Sequence, residues 1–558
     1  MKLMKLRNIA MLLALGALTG CDFMDCDESS DYSKEQIFDS FERSKRMVTN
    51  IYSYLPHDFC NTADAMQDAA TDDAVHVYKS SNIWYFVNGS WSANHTVDDV
   101  WEKYYTAIRS ANLYLKESEG QNFEDWKFSD GYEDMMKDFN NYRHEVRFLR
   151  AFYYFELIKR YHQVPLILDV LSPEQANQVK PASFEEVAKF ILDECTDLAK
   201  DGMLPINYND FKGKETGRIT KGAAMALKSR VTLYMASPLF SEPNVEKWKI
   251  AARAANDLIK KSGILGYKLI PAYANLFLEK APTRQENILV RPIGESGDFE
   301  KANFPMGVEG GKTSTCPTQN LVDAYEMRDD GSKFDWNNPA HRQNPYANRD
   351  PRLGYTIVYN DVAWPGSKKV EIWEGGVNGL PLTNATVTGY YLRKYVNKSI
   401  SFASGSQVKK KQHFWVLFRY AEILLNYAEA MVNAYDDPDF VGDGFDMSAR
   451  QAVNMIRKRV SMPEFPQGMS TQEFLERLKN ERRVELAFEG HRFWDVRRWK
   501  DLDKTSDIYG VKVTKDGTGF NYEKFLYERR TITENLYFYP ISNTEMYKNT
   551  NLIQNPGW

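Results

Sequence analysis

The run Lys479-Asn480-Glu481-Arg482-Arg483-Val484-Glu485-Leu486-Ala487-Phe488-Glu489-Gly490-His491-Arg492-Phe493-Trp494-Asp495-Val496-Arg497-Arg498-Trp499 decides how this chain is read. Between 480 and 500 it holds six basic and four acidic residues, threaded with Val484, Leu486, Phe488, Phe493, Trp494, Val496 and Trp499. A solvated charge run would carry fewer rings, and a plain core helix fewer charges. Ser470 with Glu473 forms a capping box that starts a helix, and Gly490 is placed to end it. Phe474, Leu478, Glu481, Glu485 and Phe488 share one side at helical spacing. Carboxylates set among Arg482, Arg483, Arg492, Arg497 and Arg498 predict a partly buried ion network that fixes how the helix docks. The same arginines argue against Glu485 and Glu489 as a general acid/base pair, because neighbouring cations lower carboxylate pKa values.

Helical spacing extends to both sides of this run. Ser33 with Gln36 forms a capping box, and Ile37, Phe41, Val48, Ile51 and Leu55 carry a helix to about residue 55. Residues 56–96 lose periodicity, gather Asn, Asp, Ser and Gly, and read as an exposed loop holding Trp84 and Trp91. Val97, Trp101, Tyr104, Ile108, Ala111 and Leu115 form the next stripe. Tyr142, Val146, Leu149, Tyr153 and Leu157 form another, with Phe148, Phe152 and Phe155 on a second apolar face, and Val164-Pro165 ends it. Ser183 with Glu186 caps a further helix; Ala223, Leu227, Arg230 and Tyr234, then Trp248, Ala255 and Ile259, mark two more. These helices recur in pairs at roughly the 34-residue period of tetratricopeptide repeats. Residues 265–415 are instead rich in Gly, Pro and Asn, with strand-like runs at 355–359, 390–396 and 413–418. Helices resume with Tyr420, Leu424, Tyr427 and Met431, then Val453, Ile456 and Val460. The expected fold is mainly α: a tetratricopeptide-like helical-repeat array (33–264 and 416–558) with a loop-rich inserted lobe of short β-strands (265–415).

Charge is close to balance, 71 basic against 76 acidic residues, so nothing points to nucleic acid. Lys2, Lys5 and Arg7 precede an apolar segment from Ile9 to Leu18, too short for a permanent span. Leu18-Thr19-Gly20-Cys21 follows, with the form of a bacterial lipobox. Residues 1–20 are therefore expected to be a signal peptide, Cys21 the lipid anchor, and 21–32 an acidic tether. Cys26, Cys60, Cys195 and Cys316 are scattered without a CxxC pair, and indicate neither a zinc site nor a disulfide framework.

Several chemical motifs nearly form. His144-Glu145 begins an HExxH pattern, but Phe148 stands where the second ligand belongs. Gly307 to Thr313 ends like a phosphate-binding loop but is one residue short. The Glu534-Asn535-Leu536-Tyr537-Phe538 run resembles a protease-tag scar and reads as native. No catalytic set, metal cluster or cofactor motif is indicated. Sugar recognition asks for a flat ring against the C–H face and polar side chains on the hydroxyls. Trp101, Trp248 and Trp415 lie on regular stripes and read as core. Trp84, Trp91, Trp336, Trp364 and Trp373 lie in irregular segments from which a ring can face outward, Trp364 packing locally after a strand.

Four stretches together resemble the SusD/RagB family of Bacteroidetes outer-membrane lipoproteins. They are the opening run, Arg147-Phe148-Leu149-Arg150-Ala151-Phe152-Tyr153-Tyr154-Phe155-Glu156-Leu157, Arg419-Tyr420-Ala421-Glu422-Ile423-Leu424-Leu425-Asn426-Tyr427-Ala428-Glu429-Ala430, and the ending from Tyr539-Pro540-Ile541 to Asn555-Pro556-Gly557-Trp558. Asp22, Asp25, Asp27 and Glu28 after Cys21 likewise resemble the surface-export signal of such lipoproteins. The resemblance implies a non-enzymatic, surface-exposed, lipid-anchored protein without a cofactor. It would capture a glycan and pass it to a SusC-like TonB-dependent transporter. It also implies a ligand site built from the early loop and the central lobe: Trp84, Trp91 and Trp336 as stacking rings, with Asp72, Asp73 and Asn88 on the hydroxyls. Rival readings are RagB-like capture of peptides and a helical-repeat scaffold for protein partners. A glycoside hydrolase would need two opposed carboxylates, for which the sequence offers no support.

Overall fold

The computed structural model describes residues 32–558, apart from 63, 212, 214, 216, 365–367 and 403–408. The signal segment, Cys21 and nearly all of the tether lie outside the described residues. Ten helices organise the description: α1 (Phe41–Ser53), α2 (Trp101–Glu117), α3 (Tyr132–Tyr161), α4 (Phe184–Leu198), α5 (Lys221–Ala236), α6 (Val245–Leu265), α7 (Tyr420–Tyr435), α8 (Ala449–Arg459), α9 (Thr471–Glu485) and α10 (Arg492–Arg498). Each packs on its sequence neighbour from α1 to α8, α6 meeting α7 across the intervening lobe, and α9 packs on α7. Nearest-neighbour stacking of this kind is the helical-repeat arrangement read from the periodicity. The Ser33/Gln36 and Ser183/Glu186 capping boxes form as expected. Helix α3 is buried on every side from Phe148 to Tyr161, as a helix without a polar face must be.

The chain leaves α6 at Leu265 and returns at Tyr420. Between them, β2 (Asn287–Ser296) pairs antiparallel with β4 (Lys411–Arg419), Trp415 opposite Arg291, and so closes the neck of the inserted lobe. Of the strand-like runs, 413–418 lies inside β4. The run at 355–359 is split between a helical turn, Arg352–Thr356, and the strand Ile357–Val358, which pairs with Tyr391–Leu392. Beyond α10 an unanticipated hairpin forms, β5 (Asp507–Asp516) against β6 (Gly519–Arg529), with Lys512 opposite Glu523.

The segment 56–96 is not an open loop. Its strand β1 (Ala74–His76) pairs with β3 (Thr315–Pro317) of the lobe. Arg530, just past the hairpin, donates to the carbonyls of Ala69, Thr71 and Ala74. Lobe and hairpin thus close over 65–76, which is buried throughout.

Helix α9 ends at Glu485, five residues before Gly490. Its last carbonyl is already satisfied by Arg419 Nη2 at 2.7 Å and the Tyr273 hydroxyl at 2.9 Å, so no further turn is needed. The chain then turns through Phe488 (φ 58°) and Gly490 (φ 73°) into α10. A Cβ at 490 would meet the Cys60 sulfur at 3.0 Å, which explains a glycine there.

The ion network is present and larger than the run itself. Arg352, Lys394, Arg419, Arg457, Arg459 and Arg477 interlock with Glu286, Glu326, Asp350, Glu481, Glu485 and Glu489. Six cations face six carboxylates, so the buried charge cancels. Residues 286, 326, 350, 352 and 394 come from the lobe, and the others from β4, helices α8 and α9, and the turn at Glu489. The network is the joint between the two.

Candidate functional site

The residues chosen from the sequence do not assemble into an open site. Trp84 lies in the turn Asn82–Phe86 and is 8% exposed. Its Nε1 donates to the Tyr78 carbonyl at 2.9 Å, and the Lys79 ammonium sits 3.2 Å from its ring centroid, covering one face. Trp91 is 5% exposed, wedged edge-on against Phe86, Tyr539 and Trp558. Both rings belong to the core, contrary to the expectation of outward stacking.

Asp72 and Asp73 are also buried and already occupied. Asp72 accepts from Arg492 Nε at 2.9 Å and Nη2 at 3.0 Å, and Asp73 from Arg483 Nε at 2.6 Å. Burial alone would raise Asp72, but Arg483 and Arg492 outweigh it and pull its pKa to about 2. Asp73, buried beside that charge, is pushed up instead. Neither carboxylate is free for a hydroxyl. Asn88 is exposed, its Oδ1 accepting from Ser90. Trp336 is partly buried against Phe334, with Nε1 donating to Asp323 at 3.0 Å. It shares none of these partners with Trp84 or Trp91.

A different place has the chemistry. Tyr355, 42% exposed, borders a cleft of about 270 Å³ in the lobe. The turn Arg352–Thr356 that carries it is pinned by Arg352, which reaches Asp350, Glu481 and Glu485 of the buried network. Opposite, the pair Tyr391–Leu392/Ile357–Val358 returns the chain so that Arg393 and Lys394 donate their N–H groups to the Thr356 carbonyl. Tyr395, at φ 65°, turns it again toward Asn397, Lys398 and Ser399. Asn397 Oδ1 accepts from the Ser399 N–H and hydroxyl, which holds that tip. Tyr273 and Phe277 form the far wall. Lys394 closes the floor, donating to the Tyr273 hydroxyl, the Ala487 carbonyl and Glu489.

The cleft combines one exposed ring with side-chain donors and contains no Asp or Glu. It can stack a flat apolar face and hydrogen-bond acceptor oxygens, but it offers no acid, base or nucleophilic carboxylate for glycoside cleavage. Among the described residues no group of His, Cys, Asp or Glu is arranged to hold a metal ion. A second cavity of about 170 Å³ is lined by Glu156, Lys159, Arg160, Arg230 and His491, whose charges are paired within the protein, and by Lys103, which stands over the Tyr104 ring. Glu156 pairs with Lys159 and Arg160, and Arg230 with Glu422. Burial and nearby arginines hold His491 well below its ordinary pKa, hence neutral.

The cleft residues escaped sequence reading because 355–359 and 390–396 were assigned to strands. One signal was available: from 375 to 421 the chain has no Asp or Glu and seven Lys or Arg, in a protein otherwise near charge balance.

The helical-repeat body thus carries an inserted lobe whose cleft offers an exposed ring and side-chain donors. Two family models match the chain: residues 291–558 fit the SusD family, and residues 22–233 fit a family described as starch-binding, associating with the outer membrane. SusD-like protein P38 of Formosa agariphila is 22% identical over 546 residues, covering 91% of this chain and 94% of its own. A SusD-like protein of Bacteroides fragilis superposes with TM-score 0.76 at 27% identity, over 94% of this chain and 99% of that one. A SusD-like carbohydrate binding protein of the same species gives 0.75 at 25% identity, over 93% and 100%. The chain is a member of the SusD-like family. One of the two family models is described as starch-binding, and the second of these structures is described as a carbohydrate binding protein.

Proposed function

We propose that the protein is a lipid-anchored lipoprotein on the cell surface that captures an oligosaccharide and delivers it to a SusC-like TonB-dependent transporter. The observation that carries this reading is the Tyr355 cleft: an exposed ring beside Arg393, Lys398 and Ser399, with no carboxylate among its lining side chains. Membership of an outer-membrane-associated family and the lipobox ending at Cys21 support the location. The ring supplies apolar contact to a pyranose face, and the donors take its hydroxyl oxygens. Trp336 and Asn88, which keep some surface, stay as proposed outlying contacts for a longer chain.

The test is a glycan array on the purified protein with peptide mixtures alongside, followed by titration of Tyr355→Ala. Glycan binding weakened by about 1–3 kcal/mol at unchanged melting temperature is the expected result. Binding of peptides and of no glycan would transfer the reading to RagB-like capture.

A further inference from the structure

The cleft beside Tyr355 has an unbalanced charge. Three cations line it, Arg393, Lys394 and Lys398, with no carboxylate among the lining side chains. Lys394 is neutralised by Glu489 at 2.7 Å. Arg393 gives one guanidinium N–H to the Gly354 carbonyl and forms no ion pair among the described residues. Lys398 forms neither a hydrogen bond nor an ion pair there; its ammonium stands 5.2 Å from the Trp364 ring. The carboxylates behind the Asn397 turn are spent elsewhere. Glu279 binds Lys411 at 2.9 Å and the Asn397 amide at 3.1 Å, and Glu300 binds His413 at 3.0 Å and the Asn397 N–H at 2.8 Å.

Two partly buried cations without counter-charge are costly in a folded protein, because desolvation is then uncompensated. Burial with Arg393 nearby already pushes the Lys398 pKa down to about 8. Most other deeply placed cations in this structure have a carboxylate or a set of carbonyls; the exceptions include Lys103, which stands over the Tyr104 ring, and Arg291, which reaches one carbonyl, and neither of them lines this cleft. The acid-free run from 375 to 421 keeps competing carboxylates away from the same surface.

We propose that this cleft selects a saccharide bearing an anionic group, a uronate carboxylate or a sulfate ester, whose ring stacks on Tyr355 while the anion meets Arg393 and Lys398. A planar guanidinium suits two anion oxygens at once, and an ammonium supplies a point charge beside it. The inference rests on the glycan-capture reading and narrows it to one class of sugar.

The experiment is calorimetric titration of the full-length lipoprotein in detergent at low and high salt. Probes are galacturonate, alginate and sulfated-galactan oligosaccharides, neutral malto- and laminari-oligosaccharides of equal length, and an oligoglutamate peptide. At least one acidic sugar should bind at least 10-fold tighter than the neutral ones. That preference should shrink in high salt, fall at least 5-fold in Lys398→Gln, and return in Lys398→Arg, with melting temperatures unchanged. The carboxylated and sulfated probes distinguish which anion is taken. Equal affinity for neutral and acidic sugars, unaltered by Lys398→Gln, overturns the inference and leaves glycan capture standing. Binding of no sugar overturns both. Oligoglutamate binding as tightly as the sugars overturns the saccharide assignment in favour of acidic peptides.

Discussion

Glu485→Gln tests whether the ion network is the joint it resembles. Glu485 is fully buried and accepts from Arg352 Nη1 at 2.8 Å, Arg419 Nη1 at 2.6 Å, and Arg459 Nη2 at 2.6 Å to both oxygens. Burial opposes its ionisation, yet Arg459, Arg419 and Arg352 hold its pKa well below the usual carboxylate range. The amide is nearly isosteric, but it removes one of six negative charges and turns an NH₂ toward a guanidinium. Removing one partner from a buried ion pair costs about 3–5 kcal/mol. The other carboxylates soften this: Arg352 keeps Asp350 and Glu481, Arg419 keeps Glu286 and Glu489, and Arg459 keeps Glu286. The lower end, about 3 kcal/mol, is therefore expected. Unfolding entropy near 2.1 cal/mol/K per residue gives about 1 kcal/mol/K for a cooperative unit of this length, so the melting temperature should fall by about 3 °C. Calorimetry measures it, and a double-mutant cycle with Arg459→Met should return a coupling above about 1 kcal/mol. A melting temperature within about half a degree of the parent, or ligand binding lost without a thermal shift, would refute a structural role.

Three further outcomes follow from the same structure. Trp91→Ala removes a ring packed on Phe86, Tyr539 and Trp558, and should cost about 3–5 kcal/mol in denaturant unfolding; lost glycan affinity at parental stability would return Trp91 to the site. Cys21→Ala should release the protein to the soluble fraction and abolish palmitate labelling; retained label would dismiss the lipobox. Asp68 is buried, neither oxygen has a hydrogen-bond partner among the described residues, and burial and then Asp73 push its pKa to about 7, against a lesser opposing pull from Lys394. An acid raised in the folded state stabilises most below its unfolded pKa, and that stability is lost as pH climbs through the folded value. Asp68→Asn should accordingly flatten the decline in melting temperature between about pH 4 and 8, and identical pH profiles for variant and parent would contradict this.

Periodicity made the repeat array legible because regular helices bury one stripe wherever they sit. Trp101, Trp248 and Trp415 were placed in the core on that ground, and all three are buried. The mixed charge and aromatic content of 479–499 announced the network, since buried carboxylates need cations close in sequence or in space. The hairpin at 507–529 was also legible and was passed over: Asp516-Gly517 between alternating Val511, Val513, Phe520 and Tyr522 is a turn signal.

What the sequence by itself determined about this chain is thus its local order: helix stripes, their caps, the lipobox-like segment, and a lobe of different composition between 265 and 415. Which irregular segments face water was decided by tertiary structure. Residues 65–76 read as an exposed loop because they lack periodicity, but they are covered by strand 315–317 and by Arg530, hundreds of residues later. Trp91 is buried by Tyr539 and Trp558 from the far end of the chain. Tyr355 sits in a strand-like run and is exposed because the chain forms a helical turn there, which buries Arg352, Leu353 and Thr356 on one side and leaves Gly354 and Tyr355 on the other. Burial of a regular element follows from its own stripe, whereas burial of an irregular one depends on what long-range contacts bring against it, and a single sequence does not list those partners.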